Sequence, residues 1–369
     1  MIRATNQEGA TVSFTINTRN GQLNRLGSGI NIVYRGRHQE LDIDIAVKKV
    51  ALDPKSPANK LSQAGKAAEA SYFLSSVFTQ CKPRFNCFYG VVLNPVYSDG
   101  IKSKIHFEQA KRQAVFFSEQ VPTNEIYYLY ELVRGQDVDK LLKQSQSDID
   151  YRNLGLQFLQ GLVDMRNVRV SMTNANGTVK TTSAAIVHLD IKPSNLMIEE
   201  GTNVLKIIDL NTLCFPYDSP KNKCRHGMTF GYAGPEFLSE DNSKKLLMAS
   251  DIFSAGITLY EMITKKQPIK AESPETWYNF WKTTVPEGSE LDLEFPRDKE
   301  QWKLLIQRMV RRDYRERPTA IECLKQFKEI LASEWAEGPG SSALPSEQGG
   351  GLRKTRYRKK KRRTFRNKL

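Results

Sequence analysis

The sequence predicts an α+β fold of two unlike lobes, a small β-rich one followed by a larger helical one, with a ligand cleft between them. Three observations predict it. From about Leu23 to Val133 the apolar residues fall in short runs rich in Ile, Val and Tyr, bounded by turn residues, which is the pattern of strands. From Gly135 onward they recur at helical spacing. Within the helical part, the stretch His188-Leu189-Asp190-Ile191-Lys192-Pro193-Ser194-Asn195 gathers a carboxylate, an ammonium and a carboxamide in eight residues, chemistry that belongs in a cleft.

The elements follow in order. Residues 1–22 read as a polar leader with one alternating patch, Val12-Phe14-Ile16, that has the period of a strand. In the β-rich part, 23–133, strands are predicted over Ile30–Tyr34, Ile43–Val50, Phe88–Leu93 and Ile126–Leu132. A single helix, Gln63–Val77, interrupts them, because Ala67, Ala70, Phe73, Leu74 and Val77 share one face. In the helical part, 134–335, helices are predicted over Asp139–Gln144, Tyr151–Arg166, Ser250–Thr264, Glu275–Lys282, Gln301–Arg311 and Thr319–Ala332. Val168–Ser183 reads as an extra polar loop. Residues 336–352 are rich in Gly, Ser and Pro and read as a flexible linker, followed by a basic tail, 353–369.

Composition narrows the function classes. The hydrophobic fraction of 39% fits a globular body with a polar appendage, and no apolar run is long enough to span a bilayer or to serve as a signal peptide. Five scattered cysteines, Cys81, Cys87, Cys214, Cys224 and Cys323, lack the density of a disulfide framework, so an intracellular, reducing compartment is expected. Cys214, Cys224 and His226 lie close enough to raise a zinc site, although ordinary loop residues explain them as well. The net charge of +14 is uneven: eleven Lys and Arg with no acid lie between Arg353 and Lys368, and subtracting them leaves +3 for everything before. That arm suits a nuclear-import receptor, a polyanion such as nucleic acid or acidic lipid headgroups, or solvent alone.

The residue types in the 188–195 stretch suit phosphate chemistry. Asp190 can take a proton from a hydroxyl, Lys192 can neutralise charge on a transferring phosphoryl group, and Asn195 can offer a neutral oxygen to a divalent cation. Fourteen positions beyond Asn195, the buried-strand run Leu205-Lys206-Ile207-Ile208 ends at Asp209, a second metal-ligand candidate. This arrangement resembles the catalytic loop and metal-binding aspartate of the eukaryotic-type serine/threonine protein kinase family. The resemblance implies a protein-kinase-like fold, phosphorylation of serine and threonine hydroxyls on protein substrates, and ATP and Mg2+ as cofactors.

Further motifs appear in the family's order. Leu26-Gly27-Ser28-Gly29-Ile30-Asn31-Ile32-Val33 resembles the glycine-rich loop, in which Gly27, Ser28, Gly29 and Val33 meet the nucleotide. Ile45-Ala46-Val47-Lys48 resembles the strand whose alanine touches the base and whose lysine holds the α- and β-phosphates. Glu69 on the predicted helix is that lysine's implied partner. Lys49 is the neighbouring alternative, and strand alternation points it the other way. Tyr130-Glu131-Leu132-Val133 resembles the hinge, with adenine-binding backbone near Glu131 and Val133 and a ribose contact at Asp137. Met228-Thr229-Phe230-Gly231-Tyr232-Ala233-Gly234-Pro235-Glu236 resembles the end of the activation segment. It implies Thr229 beside Asp190 and Lys192, and Glu236 paired with Arg317. Ser250-Asp251 resembles the start of the central helix, whose aspartate holds the catalytic-loop backbone.

Four features depart from the family pattern: a missing third glycine, Leu189 where arginine is usual, Leu210-Asn211 after Asp209, and the 168–183 insertion. The Leu189 replacement removes the usual clamp for a phosphorylated activation loop. Two other readings stay open at this point, a pseudokinase acting as a nucleotide-binding or scaffold module and a small-molecule kinase of related fold. A chain this divergent also admits the reading of an effector secreted into a host cell.

Overall fold

The fold is given by a computed structural model, which describes residues 1–6, 9–19, 22–27, 32–52, most of 59–67, 82–99, 114–144, 149–173, 179–210, 213, 229–238 and 244–336. Residues 1–331 form one compact unit, and 332–369 fall in a second. The strand-rich and helical halves therefore knit together more tightly than two separate bodies would.

The N-terminal strands are β1 (Ile2–Thr5), β2 (Thr11–Ile16), β3 (Thr18–Arg19), β4 (Gln22–Leu23), β5 (Arg25–Gly27), β6 (Ile32–His38), β7 (Ile43–Ala51), β8 (Phe88–Leu93), β9 (Val115–Phe117) and β10 (Glu125–Glu131). Their order in the main sheet is β2-β1-β9-β8-β10-β7-β6-β5. One edge of β6 is shared: Tyr34 and Val33 pair with β5, while Gly36, Arg37 and His38 pair with Ile16, Thr15 and Phe14 of β2. The sheet thus closes on itself through β2. Residues 2–16, read from sequence as a leader with one alternating patch, supply two of its strands.

Strand alternation divides the side chains of this sheet into two sets. One set, including Ala4, Val12, Phe14, Tyr34, Ile45, Val47, Phe116, Tyr127 and Leu129, makes its own apolar cluster. The other, including Phe88, Val91, Leu93, Tyr128 and Tyr130, joins the large core of the helical part. Phe14 is fully buried, with its ring 6.1 Å from that of Tyr127. Phe14→Ala should therefore destabilise the protein by about 3–5 kcal/mol in urea unfolding, the cost of emptying a large aromatic site. A loss under about 1 kcal/mol would mean that β2 is not part of the core.

The helical part contains α1 (Val138–Lys143), α2 (Tyr151–Arg166), α3 (Lys244–Thr264), α4 (Pro274–Asn279), α5 (Glu300–Met309) and α6 (Ala320–Ala336). Asp150 caps α2 by accepting from Asn153 N at 3.1 Å, and Leu154, Phe158, Leu162 and Met165 bury its inner stripe. α3 starts six residues before the predicted Ser250, and its segment Ile252–Met262 is almost entirely buried. None of the described helices is long and apolar enough to cross a membrane.

A small sheet, β11 (Gly135–Asp137), β14 (Leu196–Glu199) and β15 (Leu205–Ile207), underlies the junction between the two halves. The 168–183 insertion is not a loop. It forms an antiparallel hairpin, β12 (Val168–Thr173) with β13 (Val179–Ala184), in register from Val168↔Ala184 to Thr173↔Val179. Its alternating β-branched residues around Asn176-Gly177 carry the hairpin signal that a polarity reading passes over.

Cys87 is disulfide-bonded, and among the described residues Cys323 is free and fully buried, which pushes its thiol up to about 12. Cys214, Cys224, His226, the predicted linker and the basic tail lie outside the described residues.

Candidate active site

The connection between β13 and β14, residues 185–195, is tightly held. Pro193 opens a turn of 3-10 helix, Pro193–Asn195, closed by Asn195 N donating to Lys192 O at 3.0 Å. This turn folds the carboxamide back over the aspartate. Asn195 Nδ2 donates to Asp190 O at 2.7 Å and to Asp190 Oδ2 at 3.1 Å. Lys192 Nζ donates to Asp190 Oδ2 at 2.8 Å and to Thr229 Oγ1 at 2.7 Å, and the Thr229 hydroxyl donates to Asp190 Oδ1 at 2.6 Å. Asp190, Lys192, Asn195 and Thr229 thus form one hydrogen-bonded group. One Asp190 oxygen, Oδ1, accepts from a hydroxyl.

The backbone beneath this group is strained and braced. Leu189 has φ 63° and Asp209 φ 65°, left-handed values that cost a non-glycine residue roughly 1–3 kcal/mol. The bracing comes from Asp251 on α3, fully buried, which accepts from His188 N at 2.9 Å and Leu189 N at 2.8 Å. Arg166 at the end of α2 neutralises that buried carboxylate at 3.1 Å and donates also to the carbonyls of Ile186 and Met248. The His188 ring donates to Ile208 O at 3.0 Å, and Ile208 N donates to Asn195 O at 2.9 Å. These two bonds tie the loop to the segment that follows β15 and leads to Asp209.

In the β-rich part, alternation along β7 separates two adjacent lysines. Lys48 is buried and its Nζ lies 2.5 Å from Asp209 Oδ1, whereas Lys49 turns to Glu125 at 2.8 Å. Glu69, the implied partner of Lys48, lies outside the described residues, as do Ser28 and Gly29. The backbone of Gly27 ends β5 opposite Val33, and Val33 in turn faces Lys48 across β6 and β7. Behind Lys48 and Asp209, the rings of Tyr128 and Tyr130 stack 6.3 Å apart. Burial, reinforced by the Asp209 charge, pushes both hydroxyls well up, so they stay neutral. Among the described residues, the buried Tyr130 hydroxyl has no hydrogen-bond partner.

The residues fit the implied cofactors. Because Asn195 spends its amide N–H groups on Asp190, its side-chain oxygen is the group it would offer a cation, and the Asp209 carboxylate, a quarter exposed, would be the second donor. Two hard oxygen donors suit Mg2+ better than a soft metal. At the hinge, Ala46 faces Tyr130 across β7 and β10. The N–H and C=O of Val133 enter no hydrogen bond among the described residues, which leaves a donor–acceptor pair for a flat heteroaromatic base. Gly135, with φ 145°, follows. A Cβ there would meet Ile198 O at 1.9 Å, so only glycine lets the hinge turn onto β14. Asp137, expected at a ribose hydroxyl, caps α1, accepting from Lys140 N at 2.8 Å and pairing with Lys140 Nζ at 2.8 Å.

Away from the reacting centre, Glu236 and Arg317 meet in a two-pronged pair at 2.9 and 2.7 Å, both side chains essentially inaccessible to solvent. Arg166 and Lys206 are site residues that sequence reading missed. A lysine inside the apolar run 205–208 is the signal for the second, since burying an ammonium demands a partner.

Comparisons with known proteins converge on one family. A family model described as protein kinase domain matches residues 101–335. The chain is 32% identical over 149 residues to the dual specificity mitogen-activated protein kinase kinase jkk-1 of Caenorhabditis elegans, covering 38% of this chain and 32% of that protein. It is 22% identical over 214 residues to the serine/threonine-protein kinase A of Synechocystis, covering 56% and 39%. It is 28% identical over 192 residues to the cell cycle serine/threonine-protein kinase CDC5/MSD2 of Saccharomyces cerevisiae, covering 49% and 26%. The chain spans no more than 39% of the length of these three relatives.

Proposed function

The chain belongs to the protein kinase family, and from that premise we propose that it transfers the γ-phosphoryl group of ATP to serine and threonine hydroxyls of protein substrates. On this reading the closed sheet and the helical part are the two lobes, and the nucleotide lies between them. The observation that carries the reading is the meeting of Asp190, Lys192 and Asn195 with Lys48 and Asp209 through the bonds that join residues 195 and 208. Asp190 orients the acceptor hydroxyl and takes its proton, displacing Thr229. Lys192 and Lys48 stabilise phosphate charge, and Val133 holds the adenine. Asn195 and Asp209 would hold Mg2+, which supplies neutralisation of the phosphate oxygens. Positioning and electrostatics carry most of the rate in such a site.

The test is incubation of the full chain with γ-labelled ATP, Mg2+ and a generic basic protein, followed by phosphoamino-acid analysis. Label should appear on serine and threonine, vanish with EDTA, and vanish in Asp209→Ala. No label, or label confined to tyrosine, would refute the proposal.

Leu189 adds a regulatory expectation. Its side chain is buried with Val187 against Phe237, Met248 and Tyr314, so no cation stands at that position to receive a loop phosphate. Phosphatase-treated protein should keep its initial rate within about twofold. A tenfold fall would show that other cations, such as Lys221, Lys223 or Arg225, serve instead.

For the basic arm, the reading is contact with a polyanion. Removing residues 352–369 should leave peptide phosphorylation intact and abolish salt-sensitive binding to heparin or nucleic acid. Loss of activity in a folded truncated protein would contradict it.

A further inference from the structure

Lys206 has no part in the chemistry described above, yet its place in the fold is costly to maintain. It sits on β15 between Leu205 and Ile207, 7% exposed, where an unpaired ammonium would be strongly unfavourable. Its Nζ lies 2.5 Å from Glu131 Oε1 and 3.3 Å from Glu199 Oε1. The other oxygen of Glu131 accepts from Cys87 N at 3.0 Å, and Glu131 N donates to Cys87 O at 3.0 Å.

These contacts fix both ends of a three-residue bridge. Residues 132–134 connect Glu131, held by Lys206, to Gly135, which stands opposite Glu199 in the β11–β14 register. Arg134 O accepts from Glu200 N at 2.8 Å, pinning the far end of the bridge to the same small sheet. One ammonium therefore touches a carboxylate at the start of the bridge and another across from its end. At the centre of that bridge is Val133, whose N–H and C=O are unpaired among the described residues. Three residues beyond Lys206 on the same chain lies Asp209.

We propose that Lys206 is a positioning residue for the nucleotide base: through Glu131 and Glu199 it holds the 132–134 backbone at the geometry that receives adenine. The inference rests on the nucleotide-binding reading given above. The contacts of Lys206, Glu131 and Glu199, both lie at the base end of the proposed site, so its loss should act on that end of the ligand alone.

Lys206→Met should raise the KM for ATP about tenfold, the scale of one hydrogen bond to a charged group, with kcat within about twofold. Lys206→Arg keeps the charge and the donors and should restore KM to within about threefold. Glu131→Gln should raise KM similarly, and the double variant Lys206→Met/Glu131→Gln should be no worse than either single one, because the two act as a unit. Adenosine and Mg-tripolyphosphate, titrated separately by calorimetry, divide the ligand. Adenosine affinity should fall about tenfold in Lys206→Met while tripolyphosphate affinity is unchanged.

An equal loss for both half-ligands, or a fall in kcat matching the rise in KM, would show a merely structural lysine and overturn the inference. Unchanged ATP and adenosine affinity in Lys206→Met and Glu131→Gln would also overturn it. Should Lys206→Met fail to fold, Glu131→Gln and Lys206→Arg decide the matter on the same readouts. A wild-type protein that binds neither ATP nor adenosine would overturn the functional reading itself, and this inference with it.

Discussion

Replacing Asp190 with asparagine is expected to cut phosphoryl transfer by two or more orders of magnitude, the scale on which a positioned general base acts. Nucleotide affinity should stay within about twofold. The geometry makes the variant informative. Asp190 Oδ1 accepts the Thr229 hydroxyl at 2.6 Å, and Oδ2 accepts from both Lys192 and Asn195. An amide at this position can keep its oxygen toward Lys192 and Asn195 and turn its NH2 to the Thr229 oxygen, which can accept, so the packing survives and only the capacity to accept a hydroxyl proton is lost. Single-turnover phosphorylation of a peptide, together with fluorescent-nucleotide titration, separates the two effects. Turnover retained within tenfold would remove Asp190 from the role of proton acceptor.

The second large effect is structural. Arg317→Met should destabilise the protein by about 3–5 kcal/mol in urea unfolding, since it strands the Glu236 carboxylate where its side chain is 1% exposed. Arg317 donates also to Ala249 O at 3.1 Å and Arg311 O at 2.7 Å, so carbonyls of two further segments lose a donor. The double variant Glu236→Leu/Arg317→Met should recover much of the loss, because no lone charge remains buried. A double variant as damaged as the single one would place the cost in the orphaned carbonyls instead of the carboxylate.

Much of the site was legible because its groups are close in sequence. Asp190, Lys192 and Asn195 occupy one turn, and the proline between them restricts how that turn can close. Helix α2 occupies the predicted residues Tyr151–Arg166, where a long apolar period leaves little choice. What sequence reading missed depends on distant partners. Arg166 reads as an ordinary cation in the last turn of a helix, and only the fold brings it to Asp251, eighty-five positions away. Lys206 finds Glu131 across seventy-five positions. The hairpin β12–β13 was obscured by its many Thr, Ser and Asn residues. Such residues are common in loops, but threonine, being β-branched, is also a strand former, which polarity alone does not reveal. β1 and β2 pair with each other, but their places in the sheet depend on Phe117 and His38, which lie farther along the chain.

Those distant partners bear on how fast the molecule assembles. β1 and β2 are neighbours, and a hairpin of that kind zips in microseconds. Joining it to the rest requires Thr5 to find Phe117, across more than a hundred residues, and Phe14 to find His38. Long loops of this kind lose their entropy before they gain any contact, which slows the final seal. Until it forms, the outer rims of β6 and β9 stand open, with unpaired amides that would pair with any extended peptide. The time spent unsealed, more than the final stability, sets how readily refolding molecules stick to one another. A separately added peptide of residues 1–17 should shorten that interval for a chain lacking them.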